Sequence, residues 1–181
     1  MRITGGILSG RKIAVSAGTE EIRPSMDKMR ESVFACLGDL TGISFLDMFS
    51  GSGIIALEAA SRGASCIEAV ELDRQKRKTL LDNVSISPVH INCRFMPAEL
   101  YVKRAKKSFD IIFLDPPFPY LFKWELIAKI SMSPLVINGT KILIHRPRPE
   151  YQKKEIHNLV KTDSREYGRS VVDFFIIDQD I

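Results

Sequence analysis

The sequence predicts an α/β fold, a mostly parallel sheet with helices on both faces and an antiparallel hairpin at one edge. Three observations carry this. From Ser44 onward, short apolar runs alternate with stretches of helical spacing, and repeated βα units imply parallel strands. One run, Phe109 to Asp115, is rich in Ile, Phe and Leu, as a strand buried on both faces requires. The last two apolar runs are joined by a polar turn at Gly168 with no helix between them, which marks an antiparallel pair.

Met1 to Ser16 has short apolar pairs broken by Gly5-Gly6 and Ser9-Gly10, the pattern of a small β-hairpin with a basic end at Arg11-Lys12. A helix opens at Arg23-Pro24-Ser25-Met26-Asp27, carries apolar residues at Met29, Val33, Phe34 and Leu37, and stops at Gly38. Strands are then expected over 44–48, 66–72, 89–95, 109–115 and 141–145, near 156–162, and over 170–177. Helices are expected over 52–62, 74–84, 98–106 and 124–130. The chain thus divides into a hairpin and helix over 1–40 and a sheet-bearing domain over 41–181.

With 181 residues, 45% hydrophobic and 27% charged, the chain suits one soluble domain. No apolar run reaches the roughly 18–20 residues that span a bilayer, and the first residues lack the apolar core of a signal peptide. Cys36, Cys66 and Cys93 are odd in number and lack metal-ligand spacing, which fits a reduced, cytoplasmic setting with no metal and no membrane. The net charge of +4 suits a polyanionic partner without identifying one.

In such sheets ligands bind beyond the carboxyl ends of the strands, so the residues following each strand are the candidates. The first βα turn reads Leu46-Asp47-Met48-Phe49-Ser50-Gly51-Ser52-Gly53, and the next strand ends at Glu71-Leu72. Glycine lets a ligand approach the backbone. An acid 20 residues after Gly51 stands where a ribose hydroxyl is commonly bound. This pattern serves either a dinucleotide or S-adenosylmethionine. An acid on the strand, Asp47, suited to an ammonium group, and the entry through Phe49-Ser50 favour S-adenosylmethionine. The candidate cofactor set is Asp47, Phe49, Ser50, Gly51, Ser52, Gly53, Glu71 and Leu72, with Ala98 after the third strand.

The strongest motif is the buried strand that runs into Asp115-Pro116-Pro117-Phe118. Two prolines fix φ and remove two donors, leaving a stiff loop that presents carbonyls. An exocyclic amine on a base is a poor nucleophile. The Asp115 carboxylate and the Pro116 carbonyl each accept one of its N–H bonds and aim the lone pair, while Phe118 stacks on the ring. Asp115, Pro116, Pro117 and Phe118 are therefore the candidate catalytic residues for amino-group methylation, a reaction driven by orientation.

Together these segments resemble the RsmD family, bacterial methyltransferases that act on guanine N2 of small-subunit (16S) ribosomal RNA. The likeness covers nearly the whole chain. It includes Arg2-Ile3 through Gly10-Arg11-Lys12, Arg23-Pro24-Ser25 with Asp27, Arg30-Glu31 and Phe34, the glycine loop with Glu58-Ala59 and Ser61-Arg62-Gly63-Ala64, the strand through Phe118, and Tyr167-Gly168 with Phe174-Phe175. The resemblance implies a seven-stranded, Rossmann-like class I methyltransferase sheet, S-adenosylmethionine bound by Asp47, Gly51, Gly53 and Glu71, and a base placed by Asp115 to Phe118. Its implied partner is 16S rRNA, free or in a 30S subunit or assembly intermediate; a monomer is the default. Three positions depart from the family pattern. Met26 stands where Thr or Ser is usual, Pro97 where an Asp or Asn often meets the adenine amine, and Ile144 where Glu often precedes the histidine. His145 itself reads as a polar strand-end residue.

RNA phosphates would be met by Arg2, Arg11, Lys12, Arg23 and Arg30 on the 1–40 appendage and by Arg146 and Arg148 after the fifth strand. The runs at 74–78 and 103–107 read as solvated helix faces. Three other functions stay open at this point. An adenine-N6 methyltransferase would more often carry Asn at Asp115 and a recognition insertion. A nicotinamide oxidoreductase would leave the Asp-Pro-Pro-Phe strand idle. A non-catalytic RNA-binding or assembly protein would have no need of it.

Overall fold

The structure, a computed structural model, describes residues 1–15, 24–149 and 155–180. Its strands are β1 (Ser44–Met48), β2 (Cys66–Glu71), β3 (Ile91–Phe95), β4 (Ile111–Leu114), β5 (Lys141–Pro147), β6 (Leu159–Tyr167) and β7 (Ser170–Ile177). Its helices are α1 (Pro24–Leu37), α2 (Ile54–Ser61), α3 (Arg77–Val84), α4 (Ala98–Lys103) and α5 (Lys123–Ser131). The strands form one sheet in the order β3-β2-β1-β4-β5-β7-β6. The first five pair in parallel, and β7 lies antiparallel between β5 and β6.

Side chains alternate across this sheet, so it feeds two cores. Phe45, Ile67, Phe113, Leu143 and Phe174 pack on one face with α1, α2 and the N-terminal arm. Leu46, Val70, Ile112, Ile144 and Phe175 pack on the other with α4 and α5.

Several boundaries differ from expectation by a few residues, two of them for identifiable reasons. The third strand begins at Ile91, because the Val89 amide turns to the Ser87 hydroxyl at 3.3 Å and Pro88 offers no donor. The sixth strand runs to Tyr167, because the tight turn at Gly168-Arg169 pairs Tyr167 with Ser170 and draws the polar run 161–166 into an exposed edge. Charged side chains on such an edge discourage pairing with other chains. The N-terminal hairpin narrows to one bridge, Arg2 to Lys12, flanked by Ile3 N–H to Arg11 O and Ile13 N–H to Met1 O, both 3.0 Å.

All eight residues of α2 are buried, since the arm lies across the helix. Ser61 Oγ donates to Gly5 O at 2.6 Å and accepts from Leu8 N–H at 2.9 Å, and Glu58 accepts from Thr4 N–H at 2.7 Å. Glu58 has no solvent of its own; Arg62 pairs with it directly and Arg30 approaches within 3.5 Å, as a buried carboxylate requires. Gly6 makes the close approach possible: at φ +75°, a Cβ there would sit 1.9 Å from Ser61 O. Gly6→Ala is expected to lower unfolding free energy by roughly 2 kcal/mol or more, checked by urea denaturation.

Candidate active site

β1 and β4 are neighbours, but β1 leads outward to β2 and β3 while β4 leads to β5 on the other side. A crevice opens where the order reverses, beyond the carboxyl ends of these two strands. Both motifs singled out in the sequence meet there.

The glycine loop makes one wall. Phe49 adopts the left-handed region at φ 66°, a conformation that costs a non-glycine residue energy and clusters at functional sites. The loop is tied down by Ser50 N–H to Val70 O at 2.9 Å and Gly53 N–H to Ser50 O at 2.8 Å. The two glycines have different tasks. A Cβ on Gly51 would meet nothing within 4 Å, so its face is open to a ligand. One on Gly53 would lie 2.6 Å from Leu80 Cδ1, so that glycine lets α3 pack.

Glu71, at the end of β2, is buried and grips the loop. Its Oε2 accepts from Gly51 N–H at 2.7 Å and its Oε1 from Asp73 N–H at 2.8 Å. Each oxygen keeps a further lone pair, and Glu71, Leu72, Met96 and Ala98 line a hollow of about 650 Å³ that reaches Asp115 and Phe118. A second hollow of about 210 Å³, lined by Met1, Met29, Ser50, Gly51, Ser52 and Ile54, adjoins it; Phe49, Met26, Lys76 and Asp115 belong to both.

Asp47 is placed otherwise than expected. It is fully buried and lines neither hollow. Its Oδ2 accepts from Ala56 N–H at 3.2 Å, and its Oδ1 has no partner. Burial pushes its carboxyl up to about 8; the nearby Ser50 hydroxyl and the Ala56 N–H oppose this, and the charges of Asp115 and Glu71 add to it. The side chain braces the start of α2. Because the unfolded carboxyl ionises near 4 and the folded one near 8, stability from this group is full below pH 4 and declines up to about pH 8. Asp47→Asn, which mimics the protonated form, is therefore expected to gain stability over the parent across that window, read from melts between pH 4 and 9.

The facing wall follows β4. The register sets Leu114 beside Ile144, so the next residues, Asp115 and His145, emerge side by side. Asp115 is about a third exposed, and its Oδ1 lies 2.8 Å from Nδ1 of the buried His145. Pro116 is buried, and Pro117 O closes a turn by accepting from Tyr120 N–H at 2.8 Å. Phe118 is 44% exposed, its ring 5.7 Å from that of His145 in an edge arrangement. Tyr120 packs 5.3 Å from Phe49 and bonds Glu99, linking the two walls. Burial pulls the His145 pKa down, but the Asp115 charge and hydrogen bond outweigh it, and the net shift is upward.

The basic residues separate into two groups. Arg2, Arg11 and Lys12 are exposed on the arm, and Arg148 is exposed beside Glu166 at 2.9 Å. Arg30 and Arg146 are corrected: both are buried. Arg30 donates to Arg2 O at 3.0 Å and pairs with Asp27; Arg146 pairs with Asp173 at 2.5 Å. Each offsets a carboxylate inside the protein, so neither is a surface contact. Arg23 lies outside the described residues. Sequence reading missed Lys76 and Tyr120 as crevice residues, and it underrated His145.

A protein-family model described as "Conserved hypothetical protein 95" matches residues 1–176. The chain belongs to this family. Among its relatives is Ribosomal RNA small subunit methyltransferase D of Buchnera aphidicola (subsp. Baizongia pistaciae), 30% identical over 81% of this chain and 76% of that protein. The Escherichia coli K12 protein of the same name is 35% identical over 65% of this chain and 60% of its own. The solved yhhF protein of Escherichia coli superposes with a TM-score of 0.84 at 25% identity, covering 98% of both chains. The resemblance to the RsmD family and the seven-stranded methyltransferase fold are thereby borne out. Among the described residues no helix is long and apolar enough to cross a membrane.

Proposed function

We propose that this protein transfers a methyl group from S-adenosylmethionine to the exocyclic N2 of a guanine in 16S ribosomal RNA, acting in the cytoplasm on free rRNA or on a 30S particle. The observation that carries this is the placement of Asp115 and Phe118 against the crevice walled by Gly51 and Glu71. The crevice fits the cofactor: the face of Gly51 is open, Glu71 has acceptor capacity left for ribose hydroxyls, and the hollows of about 650 and 210 Å³ adjoin through shared lining residues. Bound there, S-adenosylmethionine supplies an electrophilic methyl group.

The chain's own part is to hold the amine. Asp115 and the Pro116 carbonyl accept the N–H bonds, Phe118 fixes the plane of the base, and the walls keep the nitrogen in line with the methyl. As the N–C bond forms and the C–S bond breaks, the amine sheds one proton to Asp115. An ionised carboxylate only accepts. The pairing edge of guanine offers two donors, N1–H and the N2 amine, whereas adenine sets an acceptor beside its amine. That favours guanine over adenine-N6. Reaching either amine requires the base to leave its stack.

Arg2, Arg11, Lys12, Arg23 and Arg148 supply phosphate contacts in this reading, making 1–40 an RNA-binding appendage. Arg11→Ala with Lys12→Ala is expected to raise KM for RNA and lower the slope of log affinity against log salt by about one for each phosphate no longer neutralised, with the cofactor Kd unchanged. The central test incubates deproteinised rRNA and 30S particles with methyl-labelled S-adenosylmethionine and analyses the nucleosides. Label in N2-methylguanosine is expected. Label in N6-methyladenosine overturns the base assignment, and no label at all favours a non-catalytic RNA-binding role.

A further inference from the structure

One imidazole touches both side chains that would meet the base. His145 bonds Asp115 at 2.8 Å and sets its ring edge-on to Phe118 at 5.7 Å. We propose that His145 is a positioning residue: it holds Asp115 by Oδ1, so that Oδ2 faces the amine, and props the Phe118 ring beside it. This rests on the reading of Asp115 as the group that receives the base.

The placement follows from the sheet. β5 lies between β4 and β7, with Ile144 paired to Leu114 of β4 and His145 paired to Val172 of β7, so the backbone under the imidazole is held by the sheet. Groups mounted on such elements hold their geometry better than groups on loops. The ring is 2% exposed, and its Nε2 is buried without a partner. A buried polar atom left unsatisfied is costly, and a histidine whose task were only to fill space would be replaced at no loss by an apolar residue. What it obtains is the Nδ1 contact. Asp115 faces it from β4 and the apolar Val172 lies opposite on β7. The upward shift of its pKa fits an Nδ1–H donated to a carboxylate.

Two measurements test this on the full chain. Nitrogen-15 NMR of the imidazole should give a titration midpoint above the ordinary value of about 6.5, and Asp115→Asn should drop it below that value, because burial then acts unopposed. A midpoint that Asp115→Asn leaves unmoved would overturn the contact. In the 30S assay, His145→Leu should lower kcat by about 10²-fold while the cofactor Kd and the KM for particles stay near wild type. His145→Asn, whose Nδ2 is attached to Cγ as Nδ1 is and donates in the same direction, should recover most of that loss. Should the Leu variant melt early, the Asn variant and the NMR titration still decide. A Leu variant with wild-type kcat, or an Asn variant no better than Leu, sinks the positioning role alone. A wild-type protein that leaves guanine unmethylated sinks the proposed function and this role with it.

Discussion

Asp115→Ala is expected to reduce kcat by about 10²–10³-fold, with S-adenosylmethionine still bound near its wild-type Kd. The carboxylate sits at the end of β4, a third exposed, and its backbone amide is held by Met48 O at 3.3 Å. Truncation therefore leaves the loop and the proline corner in place and removes the acceptor proposed for the amine, together with the partner of His145 Nδ1. Loss of rate without loss of cofactor would mark Asp115 as acting on the base. Single-turnover kinetics with 30S particles and calorimetry with the cofactor separate the two. If methylation continues at the wild-type rate, the assignment of Asp115 is wrong.

Glu71→Ala should show the opposite division, raising the cofactor Kd by about 100-fold. Two effects combine: the ribose acceptor is removed, and so are the bonds to Gly51 N–H and Asp73 N–H, at 2.7 and 2.8 Å, that shape the glycine loop. Hydrogen bonds to a charged group contribute about 1.5–3 kcal/mol each, and the loop can only partly relax around their absence. Glu71→Gln keeps two acceptor sites but gives up the charge and one bond to the loop, so a shift of roughly tenfold is expected. A Glu71→Ala protein that binds the cofactor normally would move the ribose site elsewhere in the crevice.

The βα alternation was legible because each strand and helix carries its own period. Even the first strand's ends, at Ser44 and Met48, stand in the residues, since polar and glycine positions flank a short apolar run. The meeting of Phe49–Gly53 with Asp115–Phe118 was legible too, because parallel sheets bring strand ends to one side. What the sequence could not show was neighbourhood across the sheet. His145 reads as a polar strand end until the β4–β5 register sets it beside Asp115. Arg30 and Arg146 read as surface charges until the buried Glu58 and Asp173 turn up next to them. Asp47 reads as a ligand because it precedes the loop, yet its side chain turns under α2 to Ala56 N–H. Apart from Arg146, expected after the fifth strand and found within it, the local pattern was right about the residue's place on its element and silent about which way the side chain would turn.

The strap formed by the first fifteen residues has a practical consequence. It is the roof of α2, and α2 leads directly out of the glycine loop, the proposed cofactor wall. A protein trimmed to Ser16 would lose Ile3, Leu8 and Ile13 from the apolar core they share with α2 and leave Glu58 without the Thr4 N–H. Such a greasy flank invites self-association. Trimming at this end should therefore cost solubility and cofactor affinity together, even though the arm carries no part of the Asp-Pro-Pro-Phe corner.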